Sequence, residues 1–302
     1  MDVTTRGLRK TFGRVVAVND VSFTLEPGVV TGFLGPNGSG KSTTLRLMLG
    51  LDRGEGTTHF DGIALKEHRH ATRVVGAHLD AKFFHPKRTA RNHLRMLAAE
   101  AGVSNARVDE VLELVGLADV AKKRPGSFSL GMGQRLGLAG AVLAEPQVLL
   151  LDEPANGLDP QSIQWLRQFL KYYASTGRTV LVSSHLLSEM QLLADHVVVI
   201  ARGHLVADER MNEFLARSSS NSVLVRTTMR DALATVLNGS GLAWQVEGDD
   251  ALTITGATTD KIGQLAFAAG IPVLELSPRV ASLEEAFLEL TNTEQQFAMR
   301  QS

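Results

Sequence analysis

Up to about residue 215, the apolar residues of this chain fall in short unbroken runs. These are Val29-Val30-Thr31-Gly32-Phe33-Leu34, Val148-Leu149-Leu150-Leu151, Thr179-Val180-Leu181-Val182 and His196-Val197-Val198-Val199-Ile200. Runs that do not alternate with polar residues predict strands covered on both faces. The stretches between them, 161–175 and 186–194, place apolar residues at helical spacing. Together they predict buried parallel strands joined by crossover helices, an α/β core. Ahead of this core, residues 15–18 and 21–25 are rich in β-branched residues and read as short strands, and Pro27-Gly28 turns the chain into the next one. A turn-and-strand region passes through Gly54, Gly56, Asp61 and Gly62, and residues 74–77 add one more strand.

From His85 the texture changes. Residues 92–101 and 107–115 both carry apolar positions at helical spacing, and Gly116, Pro125 and Gly126 punctuate the end. This predicts a helical insertion at about 85–125. After Leu215 comes Arg217-Ser218-Ser219-Ser220-Asn221-Ser222, a polar stretch that reads as a linker over 218–222. Beyond it the spacing predicts a strand at 223–227, a helix at 230–237, paired strands at 242–246 and 252–255 around Gly248, a helix at 260–269 and a strand at 271–276. The order β-α-β-β-α-β suggests a small ferredoxin-like α+β domain. A last helix opens at Ser282 with Glu285 three residues on, a capping-box pattern, and carries Leu283, Phe287 and Leu290 on one face. The expected division is therefore 1–217, a linker at 218–222, and a small domain at 223–302.

Composition sets bounds on this picture. The chain has 302 residues, enough for one large and one small domain. With 31 Lys+Arg against 32 Asp+Glu, no global charge argues for nucleic acid, and none is expected as a partner. There is no cysteine, so neither a disulfide framework nor a thiolate metal site is possible. The first ten residues lack the apolar stretch of a signal peptide, and no apolar run is long enough to span a bilayer. Any membrane role is expected to be peripheral.

The chemistry begins at Gly35-Pro36-Asn37-Gly38-Ser39-Gly40-Lys41-Ser42-Thr43, a phosphate loop of the form G-x-x-x-x-G-K-[ST]. A predicted strand precedes it, and Leu45, Leu47, Met48 and Leu49 follow at helical spacing. The glycines let consecutive N–H groups point inward, so that Asn37, Gly38, Ser39, Gly40 and Thr43 line a cradle closed by the helix N-terminus. Lys41 supplies a charge for the β- and γ-phosphates, and Ser42 a hydroxyl for Mg²⁺. A second apolar strand ends in Asp152-Glu153-Pro154. A strand of this kind delivers Asp152 to the edge where open α/β sheets bind ligands, there to hold Mg²⁺ directly or through water. Glu153, beside it, is placed to orient or deprotonate an attacking water.

Phe128-Ser129-Leu130-Gly131-Met132-Gly133-Gln134-Arg135 lies upstream of that strand and before an Ala- and Leu-rich helix. With this stretch the chain resembles the ATP-binding cassette (ABC) family, a P-loop NTPase fold with an N-terminal β-subdomain and a helical insertion. Its signature is commonly Leu-Ser-Gly-Gly-Gln followed by Gln-Arg. Ser129 and Gly131 occupy the family's serine and second glycine, while Leu130 and Met132 depart from the pattern. The resemblance implies that Ser129 and Gly131 contact ATP held by an opposite subunit. It implies that Asp159, in Asn156-Gly157-Leu158-Asp159, belongs to a loop crossing the dimer seam. It also implies that His185, after Ser183-Ser184, is a switch histidine at the γ-phosphate, and that Phe12, before Gly13, stacks on adenine. A half-buried strand aromatic remains the other reading of Phe12. The family's further Mg²⁺ ligand is usually Gln or Glu. The alignment of Val75-Gly76-Ala77-His78-Leu79-Asp80 puts Asp80 there, a shorter carboxylate that would need the loop to sit closer.

The resemblance spans roughly residues 3–215. The wording around 76–90, the Ser-Leu-Gly-Met signature and Ser282-Leu283-Glu284-Glu285-Ala286-Phe287 look like bacterial exporter-type subunits for drugs or antibiotic peptides. On this reading the chain is an ATPase using ATP and Mg²⁺. Its partners are a second cassette, identical or different, and integral membrane permease subunits, which place it in the cytoplasm on the inner face of the cell membrane. The cationic residues Lys82, Lys87, Arg88, Arg91 and Arg95 fit either a docking surface near anionic headgroups or a solvated helix face. The rivals are a cassette ATPase that moves no solute, a soluble P-loop kinase or GTPase, and a binding-only switch. The guanine-specificity pattern of a GTPase is missing, and neither kinase nor GTPase accounts for residues 128–135 or His185.

Overall fold

The computed structural model describes residues 1–80, 84, 85, 87–218 and 221–300, of which 292–300 as backbone only. Lys82 of the cationic stretch and Ser219 and Ser220 of the expected linker lie outside the described residues. The chain divides into two compact units, Met1–Arg210 and Met211–Ser302. The division falls before residue 217, because residues 211–216 form a helix that belongs to the second unit rather than running on from the first.

In chain order the first unit contains β1 (Val3–Phe12), β2 (Val15–Leu25), β3 (Val30–Leu34), α1 (Lys41–Met48), β4 (Glu55–Phe60), β5 (Ile63–Ala64), α2 (Ala71–Val74) and β6 (Val75–His78). Then come α3 (Ala90–Ala101), α4 (Asn105–Leu114), α5 (Leu130–Val142), β7 (Val148–Asp152), α6 (Pro160–Ser175), β8 (Thr179–Ser184), α7 (Leu187–Leu193), β9 (His196–Ala201) and β10 (His204–Arg210). The unbroken apolar runs become β3, β7, β8 and β9. They lie in a six-stranded sheet of order β10-β9-β3-β8-β7-β6, parallel except for β10. All five residues of β3 and all six of β8 are buried, as expected for strands covered on both faces.

This strand order places β3 between β9 and β8, with β7 next to β8. Leu34 pairs with Ser184, and Ser183 with Asp152, so the three strands end level with one another. The chain segments that leave them carry the phosphate loop, the two carboxylates and His185. A second sheet, antiparallel and of order β2-β1-β4-β5, packs Val3, Val21, Phe23 and Leu25 against Phe33, Leu45, Leu150 and Ile200. The expected helical insertion is α3 and α4. Both begin two residues earlier than their apolar spacing indicates, because Thr89 and Ser104 cap them by accepting from Asn92 N and Arg107 N.

The second unit contains α8 (Met211–Ala216), β11 (Ser222–Arg226), α9 (Arg230–Gly239), β12 (Ala243–Glu247), β13 (Ala251–Thr255), α10 (Thr259–Ala268), β14 (Glu275–Arg279) and α11 (Leu283–Arg300). Its sheet runs β12-β13-β11-β14, antiparallel throughout, which is the ferredoxin-like arrangement. Ser282 and Glu285 exchange the capping-box hydrogen bonds. The strand expected at 271–276 forms instead at 275–279. The N–H of Ile271 closes α10 by donating to Ala266 O, and Pro272 has no N–H to give a ladder. Pro278 is tolerated because β14 is an edge strand. In the first unit, Val74 ends α2 and the strand expected at 74–77 runs one residue later, to His78.

Candidate active site

Two glycines of the phosphate loop, Gly35 and Gly40, make contacts that leave no room for side chains. A Cβ on Gly35 would stand 2.3 Å from Ile200 O, and Gly40 has φ +110° with Ala17 O 2.4 Å from its would-be Cβ. The helix that follows has no side-chain cap and no acid in its first turn, so its N-terminal amides face the loop unopposed. Lys41, only 7 % exposed, donates to Gly35 O at 2.7 Å and Pro36 O at 3.4 Å. Burial pushes its ammonium pKa down, and the Glu153 and Asp152 carboxylates pull it back up. The buried hydroxyl of Ser39 has no hydrogen-bond partner. A buried cation, open helix amides and an orphaned hydroxyl in one loop fit a polyphosphate. Asn37, Gly38, Gly40, Lys41, Ser42, Thr43, Asp152 and Glu153, with Ala17, line a cleft of about 210 Å³. Its donors at Ser42 and Asp152 are all oxygen, the set a hard divalent cation takes.

The two carboxylates are fixed differently. Asp152 Oδ1 accepts the hydroxyl of Ser183 on β8. Glu153 lies just past β7 with φ +49°, a conformation uncommon for any residue with a Cβ and concentrated at functional sites, at a cost of about 1–3 kcal/mol. Its N–H donates to Ser183 O (3.2 Å) and Oγ (3.0 Å), and its carbonyl accepts from Gln134 Nε2 (3.3 Å) and Asn156 N (3.2 Å). The side chain then reaches back over the cleft. Oε2 accepts from His185 Nδ1 at 2.7 Å and from His185 N at 3.3 Å, while Oε1 stands 3.9 Å from Lys41 Nζ. A carboxylate only accepts, so His185 carries its hydrogen on Nδ1.

The remaining expected residues lie outside this cleft. Ser129 caps α5 by accepting from Met132 N, and Asp159 caps α6 by accepting from Ser162 N and Oγ. The two loops abut: a Cβ on Gly131 would stand 2.9 Å from Gly157 O. Phe12 ends β1 with 52 % of its surface exposed and Lys10 Nζ 4.9 Å over its ring. Asp80 follows β6 and lines a separate cavity with His78, Leu79 and His93. Within one chain, therefore, Phe12, Asp80, Ser129, Gly131 and Asp159 do not line the cleft that holds Lys41, Asp152 and Glu153.

Three residues without an expected role hold this geometry: Ser183, Gln134 and His78, whose Nε2 lies 2.5 Å from Gln134 Oε1. Ser183 had a sequence signal, a hydroxyl where the apolar run of β8 breaks, and Gln134 had one in the Gln-Arg that follows the signature. His78 had none until α5 and β6 were brought together.

The family described as "ABC transporter" matches residues 18–156, and one described only as a domain of unknown function matches 221–284. The chain is 37 % identical over 291 residues to an uncharacterised ABC transporter ATP-binding protein, YhcH, of Bacillus subtilis, covering 92 % of both chains. It is 33 % identical over 296 residues to the bacitracin transport ATP-binding protein BcrA of Bacillus licheniformis, covering 95 % of this chain and 96 % of that one. A solved ATP-binding subunit of an ABC transporter superposes with a TM-score of 0.66 at 25 % identity, over 72 % of this chain and 93 % of its own. The phosphate loop, the paired carboxylates and His185 thus stand in a chain that belongs to the ABC transporter ATP-binding proteins, a family of ATPases.

Proposed function

We propose that this chain hydrolyses ATP with Glu153 as the base, and that it drives export of an antibiotic-peptide-like or drug-like cargo through separate membrane subunits. The observation that carries the catalytic half is the placement of Glu153. A strained backbone turns its carboxylate into the mouth of the phosphate cleft, where His185 occupies Oε2 and leaves Oε1 toward Lys41. Oε1 is then the atom that takes the proton of an attacking water. Lys41 and the α1 amides bind and neutralise the phosphates, and His185 fixes the carboxylate and faces the terminal one. Ser42 and Asp152, with Asp80 if its loop closes in, would hold Mg²⁺. Bound there, the cation would supply charge neutralisation to the phosphates.

The cargo reading rests on the relationship to the bacitracin transport protein, which extends through the second unit. Among the described residues no helix is long and apolar enough to cross a membrane. The proposed route belongs to partner permeases, with the chain at the inner membrane surface.

Ser129, Gly131 and Asp159 stand outside the chain's own cleft, which supports a head-to-tail dimer in which each cleft is completed by the partner copy. Phe12, exposed at the end of β1, is the proposed adenine platform. Mixing separately inactive Lys41→Met and Ser129→Arg chains tests this. A head-to-tail homodimer regenerates one intact site per mixed pair, so about a quarter of wild-type turnover returns. Mixing without recovery would contradict the shared site.

A further inference from the structure

Glu153 is held at both of its peptide groups, and the carbonyl side leads, through Gln134 of the signature stretch, to His78, which no motif singles out. A carbonyl oxygen can only accept, so Gln134 must present its NH₂ to Glu153 O and its oxygen to His78. His78 must then donate from Nε2. The chain of donors therefore runs one way: from His78 at the end of β6, through Gln134 on α5, to the peptide of the catalytic carboxylate.

The surroundings are built for this imidazole. His78 is 4 % exposed, and a Cβ on Gly137 would stand 2.1 Å from its Cε1. Glycine inside a helix costs about 1 kcal/mol relative to alanine, and at residue 137 the missing side chain is the space the ring fills. We propose that His78 is a positioning residue for ATP hydrolysis: through Gln134 it holds the Glu153 peptide in its left-handed conformation and so aims the carboxylate at the attacking water. The inference rests on Glu153 being the base. It adds that the end of β6, the strand that leads into the helical insertion, is wired to that base, whereas the phosphate loop is not part of this connection.

A residue acting in this way sets turnover and leaves nucleotide affinity alone. The test compares ATPase kcat and KM of the purified full chain for wild type, His78→Leu, His78→Gln and Glu153→Gln. Leucine fills much of the ring's volume without a donor, and glutamine keeps an N–H that can reach Gln134 Oε1. Misplacement of a catalytic group by about 1 Å costs on the order of 100-fold. His78→Leu should therefore lower kcat about 10- to 100-fold with KM within about threefold, and His78→Gln should recover most of the loss. Should His78→Leu not fold, Gln134→Met breaks the same chain from its middle with the imidazole pocket intact, and must show the same split. The proposal is overturned if kcat of the leucine or methionine variant stays within about twofold of wild type while Glu153→Gln is inactive. It is equally overturned if the leucine and glutamine variants fall alike, which marks packing alone. An active Glu153→Gln would instead overturn the assignment of the base itself.

Discussion

Lys41 offers the sharpest separation of binding from folding. Its ammonium is buried, yet its hydrogen bonds are to two loop carbonyls, and Glu153 Oε1 stands 3.9 Å away. Burial pushes its pKa down, so the charged form gains little from folding without nucleotide. Lys41→Met conserves most of the volume, and its effect on nucleotide-free stability should stay within about 1 kcal/mol. Binding should suffer far more. Charge-assisted hydrogen bonds contribute about 1.5–3 kcal/mol each. Losing about 2.7 kcal/mol weakens the affinity about 100-fold. At a ligand concentration of about 100 times the wild-type Kd, ATP stabilises the wild type by about 2.7 kcal/mol and the variant by about 0.4 kcal/mol. For a unit of this size that corresponds to a rise in Tm of about 5–11 °C against about 1–2 °C. Scanning calorimetry with and without ATP, in chelator to prevent turnover, reads both quantities. Equal ATP-induced shifts in the two proteins would refute the reasoning, and so would a variant already several kcal/mol less stable before ATP is added.

Gly35→Ala should abolish nucleotide binding and destabilise the first unit by about 1–3 kcal/mol, since its Cβ meets a backbone carbonyl and the Ser39 hydroxyl together; equilibrium dialysis with ATP and urea unfolding check the two effects. Tyr173 is buried with its hydroxyl donating to Pro146 O at 2.7 Å, and burial pushes its pKa to about 12. Its folded pKa lies above the unfolded value near 10, so the stability it contributes is intact below about pH 10. That stability is lost as pH rises toward 12, by up to about 1.4 kcal/mol per unit. Tyr173→Phe should cost about 1 kcal/mol at pH 7 and flatten that alkaline slope, as urea unfolding at a series of pH values would show. Ser183→Ala removes a hydroxyl that serves both Asp152 and the Glu153 peptide, and should lower kcat about tenfold or more with nucleotide affinity within about threefold, measured by coupled ATPase assay and fluorescent-nucleotide titration.

What the sequence made legible follows the distance over which each feature is encoded. The phosphate loop is a contiguous string whose glycines have a local cause, and Asp152 and Glu153 adjoin an unmistakably buried strand. His185 was legible only through its resemblance to a family's switch histidine just past the β8 run. The helix starts of α3 and α4 were placed late because Thr89 and Ser104 sit outside the apolar pattern that marks a helix. The strand at 275–279 was displaced because Ile271 is apolar for packing and hydrogen-bonds backward, to close a helix. The pairing that supports Glu153 could not be read. Ser183 is 31 residues from Asp152, Gln134 19 from Glu153, and His78 56 from Gln134. Such pairs exist only after β6, β7 and β8 have taken their order in the sheet.

The central claim is that the carboxylate of Glu153, and no other group, takes the proton of the attacking water. Glu153→Gln keeps the shape and the hydrogen bonding to His185 but removes the basic oxygen. The direct measurement is single-turnover ATP hydrolysis by this variant alongside nucleotide affinity. The account predicts a rate about 100- to 10,000-fold below wild type with affinity within about threefold, and a rate close to wild type would contradict it.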